Sequence, residues 1–184
     1  HTRTLYNHIH HLGRADCTDY GAGDMGAGID HAGVSTGPDR FATDNDTIGN
    51  LLHDLSYHCP TIGSGQHAIY HAYGSGIIAN NIVYRSQAFG LHLYHNPYEV
   101  KVLNNISFNN KASGLVIGTD GRTGHSVRDI YVANNIFYDN DSYGVRIGGV
   151  SSNISFVKNL NYGNTSGAYG TIGGGPIPSI VTIT

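Results

Sequence analysis

The chain has 184 residues, long enough to bury the core of one domain, with a net charge of −3 and only 12% charged residues. So weak a charge argues against nucleic acid or an anionic membrane surface as partner, and no apolar run reaches membrane-spanning length. Glycine (26) and tyrosine (13) are abundant, methionine is single and tryptophan absent, which suits short strands and tight turns rather than helices.

The first element is a strand with Thr2 and Thr4 on one face, leading into the motif YNHIH (6–10). That motif returns as GNLLH (49–53), NNIVY (80–84), NNISF (104–108), NNIFY (134–138) and KNLNY (158–162). Its second position is always asparagine: Asn7, Asn50, Asn81, Asn105, Asn135 and Asn159, spaced 43, 31, 24, 30 and 24 residues apart. A recurrence of that length around one unvarying polar residue predicts a solenoid. A side-chain amide both donates and accepts, so stacked asparagines can bond to one another and to backbone at a sharp turn.

After the first copy comes an insertion, roughly 11–27, and then a strand GIDH (28–31). The second copy is followed by an insertion at 54–67 and the strand AIYH (68–71). Cys17 and Cys59 fall in these corresponding insertions, so stacked copies bring them together. A disulfide there would stabilise by about 4 kcal/mol in the chain-entropy view and implies an oxidising, extracellular setting; two separate buried thiols are the alternative. In later copies a glycine nine residues past the asparagine (Gly90, Gly114, Gly144) opens GLHLY, GLVIG and GVRIG. A further strand precedes each asparagine: SGIIAN, VKVLN, IYVAN and ISFVK. Each coil thus reads as three short strands alternating with period two.

Stacking places like on like. One position past the asparagine gives Leu51, Ile82, Ile106, Ile136 and Leu160; three positions past gives His10, His53, Tyr84, Phe108, Tyr138 and Tyr162. The last run, VTIT (181–184), reads as a strand before a next asparagine. The whole chain, 1–184, is expected to be a single all-β domain, about six coils of a parallel β-helix with an Asn ladder. Both ends break at the same point of the coil. The chain is therefore read as a piece of a longer solenoid with open edges, which makes end-to-end self-association an expected partner mode.

The NNI-x-[YF] turns and the G-[LV]-x-[LI] strand that follows resemble the right-handed parallel β-helix of the pectate lyase-like superfamily, over nearly the whole chain. The resemblance implies that the outer face of the G-[LV]-x-[LI] strand floors a polysaccharide groove. By parity Ile29, Ile69, Leu91, Leu115 and Val145 point inward, and Asp30, Tyr70, His92, Val116 and Arg146 form an outward column, extended by Tyr94. Parity turns His31, His71 and His95 inward at the strand ends. There they are read as a corner stack, as a catalytic or substrate-binding cluster, or as a transition-metal site.

Lyases of this superfamily cleave uronate glycans by β-elimination, which needs a base, an acid and a cation or arginine for the carboxylate. The residues of those types here are His92 or His71 as base, Tyr94 or Tyr70 as acid and Arg146 as clamp. Asp30, His31, His67, His95 and Arg122 are the expected substrate contacts. His125 lies within reach in the turn 119–128. Asp30, with Asp16, Asp19 and Asp24 in the adjoining insertion, is the candidate for Ca²⁺, although no calcium triad is evident. The expected protein is a secreted or cell-surface polysaccharide lyase acting on an anionic polysaccharide. A non-catalytic glycan-binding, adhesive or filament-forming β-helix is the alternative. A glycoside hydrolase ranks third, since it needs two facing carboxyls and the column offers one.

Overall fold

The computed structural model describes residues 1–13, 27–31, 43–59, 66–149 and 152–184. Those residues hold 17 strands and no helix, in one parallel sheet of eleven strands and one of six. They wind into a right-handed parallel β-helix of about 5 turns. The crossover hand is the one that right-twisted parallel strands favour. The six motif copies are the six strands of the smaller sheet, from His8–His10 to Leu160–Tyr162. Six stacked strands enclose about five turns, one fewer than the number of copies suggests.

The asparagine turn holds this stack together. Each ladder asparagine donates from Nδ2 to the Oδ1 of the next, at 2.9 Å for Asn7 to Asn50, 3.0 Å for Asn50 to Asn81 and 2.9 Å for Asn81 to Asn105. The run continues to Asn135 and Asn159 at 2.9 and 2.8 Å. The same oxygens accept backbone N–H groups of the preceding ladder residue, as from Asn81 to Asn105 at 3.0 Å. Buried amides so paired avoid the desolvation cost of orphaned polar atoms. The residue before every ladder asparagine is left-handed, with φ between 52° and 71° at Tyr6, Gly49, Asn80, Asn104, Asn134 and Lys158. Asparagine and glycine tolerate that backbone best, which accounts for the Asn-Asn and Gly-Asn pairs.

A second ladder lies five residues further on. Ser86 Oγ donates to Asn110 Oδ1, Asn110 Nδ2 to Asn140 Oδ1, and Asn140 Nδ2 to Asn164 Oδ1, at 2.8, 2.9 and 2.8 Å. Between the ladders, Leu52, Val83 and Phe137 are fully buried. The flanking columns face outward: the rings of His10, His53, Tyr84, Phe108, Tyr138 and Tyr162 stack at 4.6–5.2 Å within 18° of parallel. Beside them Ile82 and Leu160 are 41% and 52% exposed.

Three short strands per coil describes the later coils only. In two earlier coils the groove strand and the strand before the asparagine run together, as Ile69–Ala79 and Leu91–Leu103. Register shifts between His71 and Tyr73 and between Gly74 and Gly76 turn the corner that a loop turns elsewhere. Cys59 is buried in the core, while Cys17 lies outside the described residues, as does the bridge expected between them. Asp16, Asp19 and Asp24 also lie outside them.

Candidate functional site

Strand register sets the expected column in line. Asp30 pairs with Tyr70, Tyr70 with His92, His92 with Val116 and Val116 with Arg146. Their inward neighbours Ile69, Leu91, Leu115 and Val145 are fully buried, and Ile29 nearly so. Tyr70 stacks on His92 with centroids 4.9 Å apart and planes at 26°, and Tyr94 meets His92 at 5.0 Å. His67 sets its edge against His92 at 4.2 Å and stacks on Phe89 at 5.1 Å. Around these rings lies a cavity of about 310 Å³ lined by His67, Phe89, His92, Tyr94, Val116, Arg146 and Ile172. Arg146, which lines the cavity, donates from Nε to the Thr171 carbonyl at 3.5 Å. A larger hollow, about 560 Å³, lies on another face beside Asp44, Glu99, Lys101 and Asp129 and holds none of the stacked imidazoles.

His31, His71 and His92 are all buried. His71 is fully buried, its Nε2 bonded to the Gly74 carbonyl at 3.2 Å and its Nδ1 without a partner. His31, also buried, bonds through Nε2 to Thr47 Oγ1 at 2.8 Å and touches His71 edge-on at 5.9 Å. They meet at the corner on the core side of the strand. Parity, which places them inward, is the physical reason. His92 does face the groove but is covered by its neighbours, and burial, with His67 and His95 close by, pushes its pKa well below the usual 6.5. It is a neutral, weakly basic ring at the floor. His67 is likewise lowered by burial, to about 4.

His95 departs from parity in the opposite sense. Its φ of 73° lies in the left-handed region at the corner, and its half-buried side chain leaves the inward row. Nδ1 bonds to Asp120 Oδ2 at 2.8 Å. His125 Nδ1 bonds to the other oxygen of Asp120 at 2.7 Å, and Arg122 reaches Oδ2 through Nε at 3.1 Å. Burial pushes the Asp120 carboxyl up, but the bonds from His125, the Arg122 amide and His95 outweigh it and hold it well below the usual carboxylate range. An ionised Asp120 can only accept, so both Nδ1 atoms carry a proton, and in the neutral ring the lone pair then lies on Nε2.

Around His95 stand Tyr73, stacked at 5.4 Å within 8°, Tyr94 at 4.9 Å and Tyr70 at 6.1 Å. Burial and then the nearby Asp30 push the Tyr70 hydroxyl pKa up, so it stays protonated. The site therefore joins the column to the turn 119–128. Asp120 and Tyr73 were not foreseen; the long turn 119–128 with His125 is the trace Asp120 leaves in the sequence.

Among the described residues, two clusters offer three metal-ligating atoms within 4.8 Å of one another: His95, Asp120 and His125 in this site, and His11, His53 and Asp54 on the smaller sheet. In the first, the Arg122 guanidinium already supplies positive charge at Asp120. Comparison with family models, with curated proteins and with solved structures gave no match for this chain.

Proposed function

We propose that the groove binds an anionic, uronate-containing polysaccharide outside the cell and cleaves it by β-elimination, with His95 rather than His92 as the base. The observation that carries this reading is the Asp120–His95 pair beside Tyr70 and Tyr94, at the edge of a ring-lined groove. Asp120 fixes the tautomer that leaves His95 Nε2 basic. In the step, Nε2 takes the proton from C5, the C4–O bond breaks, C4=C5 forms and the leaving oxygen takes a proton from a tyrosine hydroxyl. Tyr70 and Tyr94 are the candidates. Arg146 lies two coils from His92, about 10 Å by coil spacing, and would pair with the carboxylate of a neighbouring sugar. The pectate lyase-like assignment belongs to this proposal, resting on the β-helix and its asparagine turns.

Hydrolysis is less well supported. Asp120 is engaged by two imidazoles and an arginine and is held ionised, so it is a poor proton donor to a leaving group. A non-catalytic glycan-binding role draws on the stacked faces of Tyr70, His92 and Tyr94, which suit sugar rings without any chemistry.

The test is incubation with alginate, pectate and glycosaminoglycans, read by the ultraviolet absorbance of unsaturated uronates. New absorbance that is lost in His95→Gln, with glycan binding retained, supports elimination. Reducing ends without absorbance indicate hydrolysis, and binding without either indicates a binding module.

A further inference from the structure

Four histidines gather on the outer face of the smaller sheet, away from the groove. His8 and His10 lie on the first strand, His11 follows it, and His53 lies on the next. His8 occupies the column that carries Leu51 and Ile82 in the following coils. Imidazole thus replaces aliphatic side chains at this one place. His8 Nε2 and His53 Nε2 face each other at 2.8 Å, and His10 Nδ1 and His11 Nδ1 at 2.7 Å. His10 stacks on His53 at 5.2 Å, and His11 sets its edge against His53 at 6.0 Å.

The second element is a carboxylate behind the cluster. Asp54 Oδ2 lies 2.6 Å from His53 Nδ1 and also receives Arg85. Held by that arginine, the carboxylate accepts the Nδ1 proton of His53, so the Nε2 lone pair of His53 points at His8. A carboxylate behind a histidine whose other nitrogen faces a second imidazole matches the outer-shell arrangement found at metal-bound imidazoles. His11 adds a third donor atom within 4.8 Å of those of His53 and Asp54. A cavity of about 480 Å³ lined by His11, Leu12, Gly13, Asp54, Tyr57 and His58 opens beside it, giving solvent and ions access.

We propose that His8 and His53 hold a divalent first-row transition-metal ion, of the Zn²⁺ type, with His11, whose donor atom lies within 4.8 Å of that of His53, as a further imidazole ligand and Asp54 as the positioning residue. Imidazole donors suit that class of ion and not Ca²⁺ or Mg²⁺. The proton now shared between His8 and His53 moves to His8 Nδ1, and the cation takes its place. Two nitrogens at about 2.0–2.1 Å from a tetrahedral ion stand about 3.3 Å apart, so the two rings need to separate by only about 0.5 Å. The site joins the first two coils across their strand pair, and its occupancy does not depend on the reaction proposed for the groove.

The experiment is calorimetric titration of the chain with Zn²⁺, paired with the visible absorption of bound Co²⁺, which reports tetrahedral nitrogen ligation. One ion per chain is expected, with affinity falling more than about 100-fold in His8→Asn and in His53→Gln, and about 10–100-fold in Asp54→Asn. His11→Asn changes an exposed residue, so its loss of affinity cannot come from failed folding. Absence of stoichiometric binding overturns the proposal. So does binding that survives His8→Asn and His11→Asn, or that vanishes only when His125 in the groove is replaced.

Discussion

The buried histidines make stability depend on pH in a way that can be worked out beforehand. Burial lowers His67 and His71 to about 4 from 6.5. Between those values the unfolded chain binds protons that the folded chain refuses, so stability rises with pH there. The sign is therefore that of a depressed pKa: the stability is complete above about pH 6.5, declines as pH falls and stops declining below about 4. A fall from 6.5 to about 4 corresponds to about 3 kcal/mol per histidine, and roughly 2 kcal/mol of that is lost between about pH 7 and 4.5. Two such groups remove about 4–5 kcal/mol, a large share of the stability of an ordinary domain. Urea unfolding across this pH range measures it, and His71→Gln, which cannot titrate, isolates one part. The variant should lose its own share of the slope, leaving those of His67 and the other buried histidines, His92 and His31, while its stability at neutral pH falls through the missing Gly74 contact. Equal slopes in the variant and the original chain would refute the burial argument, whatever their stabilities at neutral pH.

Other consequences follow from packing. Asn105→Ala removes two donated bonds, to Asn135 and the Ile78 carbonyl, and two accepted from Asn81, all buried, so urea unfolding should show a loss of about 4 kcal/mol at about 1 kcal/mol per bond. Phe137→Ala empties a fully buried position between the two ladders, and calorimetry should show a loss of about 3–5 kcal/mol. Gly114→Ala places a Cβ 2.9 Å from the Gly144 carbonyl oxygen, a backbone atom that cannot swing away, so a loss of about 1–3 kcal/mol is expected in the same assay. In the groove, Asp120→Asn should lower kcat with little change in KM, because Asp120 orients His95 rather than holding substrate.

Much of this fold is written in the asparagine repeat. Asn7, Asn50, Asn81, Asn105, Asn135 and Asn159 stack as an alternating donor and acceptor series, and such a series is legible because an amide can serve both roles at every step. Measured from it, parity placed Tyr70, His92 and Arg146 in one column and His31 and His71 toward the core. The second ladder was equally available as Asn110, Asn140 and Asn164, but Ser86 and Leu55 interrupt it in earlier coils. Parity failed at His95, where the strand bends through a left-handed residue instead of ending. Asp120 stands in a turn without period, so only coordinates bring it to His95 and His125. The burial of His92 depends on His67 and Phe89, whose approach comes from the stacking of coils and not from the strand's own pattern.

The most direct measurement of the groove proposal is the ultraviolet absorbance of unsaturated uronates released from an anionic polysaccharide, followed for the original chain and for His95→Gln and His92→Gln. The account predicts product from the original chain, its near-complete loss in His95→Gln with binding retained, and partial activity in His92→Gln, whose buried ring supports Tyr70 and Tyr94. Undiminished product in His95→Gln, or no product from any uronate-containing glycan, would contradict it.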